Sequence, residues 1–218
     1  MSQFEFDARN KVQRHSERGQ YDQATIHAII DEALICHVGF VQDNQPFVIP
    51  TIHARLGDTV VLHGAVASRL LHHAEAGHPL CVTCTLLDGI VFARAVFSHS
   101  MNYRSAVIFG HGRIITDNDE KLHALEAITE HVAQGRWYDA RQPTRKELGA
   151  TTVIAMPIES ASAKIRSGPP KDDEEDLALP IWAGVLPFAQ TTLTPVADPK
   201  LSSGIAVPQY VREYQRPH

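Results

Sequence analysis

Cysteine is scarce in this sequence. Cys36, Cys81 and Cys84 are the only three among 218 residues, and so small and odd a number fits a reducing compartment better than a disulfide framework. No stretch is long and apolar enough to span a bilayer. The N-terminus is charged and lacks the apolar segment of a signal peptide. We therefore expect a cytoplasmic protein without a membrane anchor.

Positive charge is also in short supply. The 20 lysines and arginines are outnumbered by 25 aspartates and glutamates, which gives a formal net charge of -5 and a pI of about 6.2. Non-specific binding of nucleic acid requires a basic face, so we expect no nucleic-acid partner. The hydrophobic fraction of 44% is enough to fill one substantial core.

Common catalytic and metal-binding motifs are missing. Cys81 and Cys84 match the CxxC spacing, but they lie in a predicted strand, where residues i and i+3 point to opposite faces. Redox pairs instead lie at a helix N-terminus, which lowers the thiol pKa. The 13 histidines form no HExxH pattern, and we predict no metal site. Phe109 to Gly112 holds two glycines inside a predicted strand, which is unlike a dinucleotide-binding loop.

The spacing of apolar residues predicts three helices and a series of strands. The helices cover residues 21–34, 68–76 and 119–132, each with an apolar stripe, and Asp22 is the expected N-cap of the first. The predicted strands are 36–41, 47–54, 59–63, 80–87, 90–97, 103–115 and 151–158. Asp88-Gly89 between two apolar runs predicts a hairpin turn, and Gly110 and Gly112 predict a bend.

These elements predict a mainly β protein with peripheral helices. The connections are too short for parallel crossovers, so the strands should be antiparallel and form a small barrel of about six strands. We expect one domain over residues 1–218. It would consist of an N-terminal arm (1–20), a barrel core with helices (21–158) and a C-terminal extension (159–218) that carries the acidic loop KDDEED.

Three segments carry a resemblance to a known family. They are VIPTIHARLGDTVVLHGAVASRLL (48–71), LLDGIVFARAVFSHSMNYRSAVIFG (86–110) and SAKIRSGPPKDDEEDLALPIWAGVLP (162–187). Their order and wording resemble the flavin-nucleotide-binding branch of the pyridoxamine 5′-phosphate oxidase-like superfamily, to which nitroimidazole-resistance proteins are related. The resemblance covers most of residues 15–190. It implies a six-stranded split β-barrel and a homodimer, with FMN in a groove shared by the two subunits.

Two segments are implied in binding the FMN phosphate. Ser68 and Arg69 begin a predicted helix, where backbone N–H groups and an arginine suit an anion. On the pattern alone, an N-cap serine beside a surface arginine is the simpler interpretation, and the resemblance favours the phosphate site. Met101, Asn102, Tyr103 and Arg104 are implied to line the phosphate and ribityl region, although an ordinary strand start with an exposed arginine has the same pattern.

Other residues are implied to contact the flavin ring. The backbone of Val48, Ile49, Pro50 and Thr51 would follow the edge of the isoalloxazine, or the segment is a plain core strand. His63 is the leading candidate for a catalytic residue facing the substrate or the reactive flavin edge, and the alternative is an ordinary histidine at the barrel rim. Trp182 would pack on the flavin or close the pocket from the partner subunit, and a core role is equally compatible.

Three functions follow as hypotheses. The first is an FMN-dependent oxidoreductase that acts on a small molecule, and the second is a non-catalytic flavin-binding or sensing protein. The third places haem or a deazaflavin in the same groove. Oxidation of vitamin B6 is not expected, because true pyridoxamine-phosphate oxidases carry a C-terminal arginine–histidine set that is absent from the ending Tyr214-Gln215-Arg216-Pro217-His218.

Overall fold

The computed structural model describes residues 2–215, so the last three residues of the C-terminal tail lie outside the described part. The described chain forms two antiparallel sheets. The larger sheet has seven strands: β1 (Gly19–Gln20), β2 (Cys36–Gln42), β3 (Gln45–Thr51), β6 (Pro79–Phe92), β7 (Ser100–His111), β10 (Ser160–Arg166) and β11 (Gly184–Pro187). The smaller sheet has four: β4 (His53–Leu56), β5 (Thr59–Ala65), β8 (Arg113–Ile114) and β9 (Thr151–Pro157).

The order of strands in the larger sheet is β1-β10-β7-β6-β2-β3, and β11 pairs with the far end of β6. The order in the smaller sheet is β4-β5-β9-β8. This confirms a mainly β, antiparallel protein. The sheets are not closed into a barrel, and the described residues form more than the six predicted strands.

Three of the helices are those that the sequence predicts. The helices are α1 (Gln23–Glu32), α2 (Arg69–Glu75), α3 (Asn118–Val132), α4 (Arg136–Asp139), α5 (Arg145–Ala150) and α6 (Gln209–Arg212). Asp22 caps α1 as predicted, because its carboxylate accepts a hydrogen bond from the Thr25 backbone N–H at 2.9 Å. Among residues 2–215, no helix combines the length and the hydropathy needed to cross a membrane.

The main core lies between the two sheets, α1 and α2, and includes Leu62 and Ile154 of the smaller sheet. Ile26, Ile29 and Ile30 of α1 are almost completely buried there. A second apolar cluster joins α3 to the smaller sheet and includes Ile128. The smaller sheet therefore contributes to both apolar clusters.

The predicted hairpin at Asp88-Gly89 is wrong. The chain continues through both residues as one 14-residue strand, β6, and the pairing with β7 shifts register between Leu87 and Gly89. A Cβ atom at Gly89 would lie 2.7 Å from the carbonyl oxygen of Leu186 in β11. Glycine is therefore required by the close approach of a neighbouring strand, at a β-bulge, and not by a turn.

The turn after β6 comes later than predicted. The predicted strand over 90–97 ends at Phe92, and the chain then passes through a short 3-10 helix, Val96–Ser98, before β7 begins. The predicted strand over 47–54 is also divided, because β3 ends at Thr51 in one sheet and β4 begins at His53 in the other. Both segments are apolar, so the pattern alone gives no sign of the change of sheet.

The predicted bend at Gly110 and Gly112 is confirmed. The chain leaves the larger sheet at the end of β7 and joins the smaller sheet at β8. A Cβ atom at Gly110 would lie 2.3 Å from the carbonyl oxygen of Pro157, and one at Gly112 would lie 2.6 Å from Ile154 Cγ2. The two glycines thus allow the chain to cross close to β9.

Replacing Gly110 should test this crossing. We expect Gly110→Ala to lower the free energy of unfolding by about 2–3 kcal/mol, because the added methyl group meets backbone that cannot move aside cheaply. The matched control is Gly149→Ala, since nothing lies within 4 Å of that position in α5; it should be neutral or stabilising by about 0.5–1 kcal/mol. Denaturant titration of both variants gives the comparison, and equal stabilities would contradict the assignment.

Candidate functional site

The first group of predicted site residues converges where β3, β5 and α2 meet. The guanidinium of Arg69 lies 4.4 Å from the centroid of the Phe47 ring on β3. The position of a Cβ at Gly64, next to His63, lies 3.9 Å from Ser68 Cβ. We call His63, Ser68, Arg69 and the strand residues 48–51 the β3–α2 group.

In the β3–α2 group, the residues of β3 alternate between exposed and partly buried positions. Val48 and Pro50 are exposed, whereas Ile49 is partly buried against the main core. β3 is an edge strand of the larger sheet, a position where Pro50, which has no backbone N–H to donate, is tolerated. An edge strand leaves backbone N–H and C=O groups available to a ligand or to another chain.

Charge in the β3–α2 group comes from Arg69. Ser68 occupies the N-cap position of α2, but its side chain makes no capping hydrogen bond. The helix is only seven residues long, so its dipole is small. Arg69 is exposed, and a guanidinium presents paired donors that match a phosphate.

His63 has an unsatisfied ring nitrogen. Its Nδ1 atom is buried and has no hydrogen-bond partner, and burial lowers the pKa of the imidazole. The ring is therefore neutral near pH 7, and its enclosed Nδ1 atom is an unsatisfied polar group in the single chain.

The second group of predicted residues lies at the start of β7 and includes Arg104. The guanidinium of Arg104 lies between two carboxylates: Nη2 is 2.8 Å from Asp88 Oδ1 and 2.9 Å from Glu32 Oε1. These two partners raise the pKa of Arg104 further above its usual value. The cluster carries a net charge of about -1, so Arg104 alone is a poor partner for a phosphate dianion. Neither partner is predicted from the sequence, which indicates only a turn at Asp88.

Asn102 holds a loop in place. Its Nδ2 atom donates to the carbonyl oxygen of Gly168 at 3.1 Å, and its Oδ1 atom accepts from Arg166. Arg166 also donates to the carbonyl oxygen of Pro169 at 3.2 Å. The SHSMNYRS and GPPKDDEED segments therefore meet, and the Asn102 side chain is committed to joining them.

Trp182 belongs to this second region. Its ring contacts Phe92 at a centroid distance of 5.9 Å and lies over Gly184, yet 69% of the residue is exposed. A core role is therefore excluded in the single chain, and the indole is available to a ligand or a partner. We call Met101 to Arg104 together with Trp182 the β7 group.

One chain does not bring the two groups together. Val48 pairs with Gly39, Gly39 with Cys81, and Cys81 with Phe109, so Val48 and Phe109 lie in one row across four strands. Arg104 is five residues further along β7. From the usual strand spacing and rise, Val48 and Arg104 are roughly 20 Å apart.

Cys36, Cys84 and His53 form a buried cluster, in which Cys84 Sγ lies 3.8 Å from His53 Nε2. Cys36 and Cys84 are direct partners across β2 and β6 and are fully buried, which raises the pKa of Cys36 to about 12. Cys81 lies on the opposite face and is partly exposed, as its spacing from Cys84 predicts. Within residues 2–215, no group of three or more histidine, cysteine or acidic side chains is arranged to hold a metal ion.

The chain belongs to the pyridoxamine 5′-phosphate oxidase family, since the family model of that description matches residues 22–165. This confirms the family resemblance found in the sequence. No curated protein matches the chain.

Three solved structures are similar to it. Flavocytochrome Anf3 from Azotobacter vinelandii is 37% identical, with a TM-score of 0.90, and the match covers 96% of this chain and 97% of that protein. The FAD and haem binding protein from Mycobacterium smegmatis is 35% identical, with a TM-score of 0.85, and the match covers 89% and 96%. The putative 5-nitroimidazole antibiotic resistance protein from Bacteroides thetaiotaomicron is 26% identical, with a TM-score of 0.58, and the match covers 67% of this chain and 86% of that protein.

His53 predicts a loss of stability in acid. Its Nε2 atom lies 3.0 Å from the carbonyl oxygen of Ile30, and burial lowers its pKa from 6.5 to about 4. Between these two values the unfolded chain binds the extra proton, so the free energy of unfolding falls as the pH falls through this window, by roughly 3 kcal/mol in full.

His53→Gln should flatten this part of the pH profile, because the amide can keep the hydrogen bond to Ile30 and does not titrate. The measurement is denaturant unfolding at several pH values between 6.5 and 4. His123→Gln, on the exposed side of α3, is the control and should keep the wild-type slope. The same slope in His53→Gln as in the wild type would rule out His53 as the cause.

Proposed function

We propose that the protein binds a flavin nucleotide at the interface of a homodimer and acts as a flavin-dependent oxidoreductase on a small molecule. The observation that carries the proposal is the β3–α2 group, in which an exposed arginine lies against an edge strand and a neutral histidine lies next to the start of the same helix. Similarity to a flavocytochrome and to an FAD and haem binding protein supports a flavin.

The residues fit the chemical parts of such a cofactor. An isoalloxazine ring needs an apolar surface with backbone groups at its edge, and exposed Val48 and Pro50 on an edge strand provide both. The phosphate needs positive charge, and Arg69 provides it. FMN is the cofactor we propose, and FAD shares the same ring, ribityl chain and first phosphate.

The distance between the two groups supports a dimer. A flavin site that uses both the β3–α2 group and the β7 group needs residues from two copies, since one chain holds Val48 of the first group roughly 20 Å from Arg104 of the second. Two-fold symmetry would then give two equivalent sites. Each would place Trp182 of one copy where it can cover a ring held by the other.

A bound flavin supplies the redox chemistry, and the chain orients and shields it. In this proposal the imidazole of His63 lies beside the flavin edge and faces the substrate. Its lowered pKa keeps the ring neutral near pH 7, as a general base requires. The three free cysteines suit a cytoplasmic location.

A comparison of flavins with and without a phosphate should show whether Arg69 binds the phosphate group. We expect Arg69→Ala to weaken FMN binding by roughly 1.5–3 kcal/mol, through loss of charge-assisted hydrogen bonds. Its affinity for riboflavin, which lacks the phosphate, should be unchanged. Titration of the apoprotein, followed by quenching of flavin fluorescence, gives both constants.

The control is Arg145→Ala, an exposed arginine at the start of α5, which should bind both flavins as the wild type does. Arg104→Ala should affect FMN less than Arg69→Ala, because Arg104 is already neutralised. An unchanged FMN affinity in Arg69→Ala would refute the phosphate assignment. A wild-type protein that binds neither flavin would refute the proposal as a whole.

Haem binding is a second candidate function, with His63 as the ligand of the iron. Both leading relatives are described with a haem or cytochrome component, and a haem iron requires an unprotonated, accessible imidazole nitrogen. His63 is a neutral, partly buried histidine of β5, and its Nδ1 atom has no hydrogen-bond partner but is enclosed in the single chain. His53 also has an unpartnered ring nitrogen, but it is completely enclosed and cannot reach a ligand of that size.

Haem titration should test this candidate. We expect the wild type to give a Soret band on addition of haem and His63→Ala to lose or shift it, while Arg69→Ala keeps it. His123→Ala, an exposed histidine on α3, is the control. An unaltered Soret band in His63→Ala would exclude this residue as the iron ligand, whatever the result with flavin.

A further inference from the structure

A long exposed segment connects β11 to α6. Residues 188–206, which we call the strap, contain no helix or strand, and every one of them is exposed. Its apolar side chains reach far into solvent: Leu193 is 88% exposed and Val196 is 95% exposed. Burying such side chains is favourable, so the strap has a reason to bind an apolar surface that its own chain does not supply.

Both ends of the strap are fixed. At the start, the Phe188 backbone N–H donates to the carbonyl oxygen of Asp88 at 3.0 Å. After the strap, the Tyr210 hydroxyl donates to Asp139 at 2.8 Å and the Tyr214 hydroxyl donates to the carbonyl oxygen of Val132 at 2.7 Å. The strap is therefore a tethered loop and not a free tail.

The surface of the chain is larger than its mass requires. The accessible surface is 13,632 Å² for 24.1 kDa, whereas a compact monomer of this mass would expose about 10,000 Å². A large subunit interface of about 2,000–5,000 Å² in total removes about 1,000–2,500 Å² from each copy. A second copy of the chain would therefore cover a large part of this excess of about 3,600 Å².

An apolar groove on the larger sheet is open. It has a volume of about 780 Å³, and none of its lining residues belongs to the strap. The lining includes Phe40, Val41, Phe47, Val48, Cys81 and Phe109. The strap carries one acidic and one basic residue, Asp198 and Lys200, so its nearly neutral, apolar character suits this groove.

We propose that the strap of one copy lies in this groove of a second copy, so that two straps clasp the dimer. The proposal rests on the dimer of the proposed function and adds the segment that holds it. Because Val48 lines the groove and also belongs to the β3–α2 group, each strap would cover the flavin site of the other copy.

The position of β6 allows the strap of one copy to reach the groove of the other. The strap begins beside Gly89, which pairs with Pro187, while the groove contains Cys81 at the other end of the same strand. When the larger sheets of two copies face each other across a two-fold axis that is perpendicular to their strands, the strands run in opposite directions. The end of β6 in one copy then lies against the start of β6 in the other. Six residues from Pro187 to Leu193 reach about 20 Å when extended, which is enough to enter the groove of the facing sheet.

A cysteine placed in the strap tests the contact. We expect Leu193→Cys or Val196→Cys to form a covalent dimer with the native Cys81 of the other copy under mild oxidation at alkaline pH. The bond should be absent from the same variants carrying Cys81→Ser. Arg145→Cys, on exposed α5, measures random collision and should stay uncross-linked.

Charge substitutions test the energy of the contact. The variant Leu193→Asp/Val196→Asp should weaken dimerisation by roughly tenfold or more in sedimentation experiments, because two buried apolar contacts are lost. The variant Ser202→Asp/Ser203→Asp adds the same charge to polar positions of the strap and should dimerise as the wild type does. Circular dichroism checks that both variants are folded.

The outcomes separate this proposal from the proposed function. A wild-type dimer that binds flavin but gives no cross-link and is insensitive to Leu193→Asp/Val196→Asp would overturn the strap proposal alone. A cross-link blocked by saturating FMN would assign the groove to the flavin and would also overturn it. A monomeric wild type would overturn the strap and the dimer together.

Discussion

Strand β6 is the element on which the other features of the molecule depend. It pairs with β2 at its first half, with β7 along its length and with β11 at its far end. Leu80, Val82 and Cys84 point into the main core, while Cys81 points into the open groove. The bulge at Asp88-Gly89 lets β11 approach, directs a carboxylate towards Arg104 and fixes the first residue of the strap. A change at the bulge would therefore reach the core, the charge cluster and the strap together.

The two candidate arginines differ in what surrounds them. Arg104 is held by Glu32 and Asp88, so its charge stabilises the junction of α1, β6 and β7. Arg69 lies on an aromatic ring, which leaves its hydrogen-bond donors free for an anion. A phosphate brought to Arg104 would have to displace or neutralise a carboxylate, whereas at Arg69 it would displace only water. The electrostatic arrangement thus distinguishes two residues that the sequence presents as equivalent.

The sequence predicts the local elements well where one physical signal dominates. The apolar stripe and Asp22 define α1, and the glycines at 110 and 112 mark the crossing between sheets. The Asp-Gly pair fails as a guide because glycine serves a β-bulge as well as a turn. β10 escapes detection because it is buried through alanines and serines, with Ser160 and Ser162 covered by the chain, and has no alternating pattern.

The candidate site could be predicted only in part, because some of its contacts join residues that are far apart in sequence. His63, Ser68 and Arg69 are close in sequence, so a local resemblance was enough to propose them as one group. The partners of Arg104 could not be predicted in this way, because Glu32 is 72 residues away in sequence and only the fold brings it near. Asn102 carries a polar side chain within a motif, but its role in fastening the Gly168 loop follows from tertiary contacts alone.

The residues that each comparison covers indicate whether the strap is shared with other proteins. The family model ends at residue 165, before the strap begins, so the strap is not part of the family's common core. The match to flavocytochrome Anf3 covers 96% of this chain, and the remainder, about nine residues, is too short to contain all 19 strap residues, 188–206. At least half of the strap therefore has a counterpart in that protein. The strap has no helix or strand, and Leu193 and Val196 are almost completely exposed, so a surface outside the chain best explains its apolar side chains. In the dimer that we propose, the same segment would stabilise the subunit interface and the cofactor site.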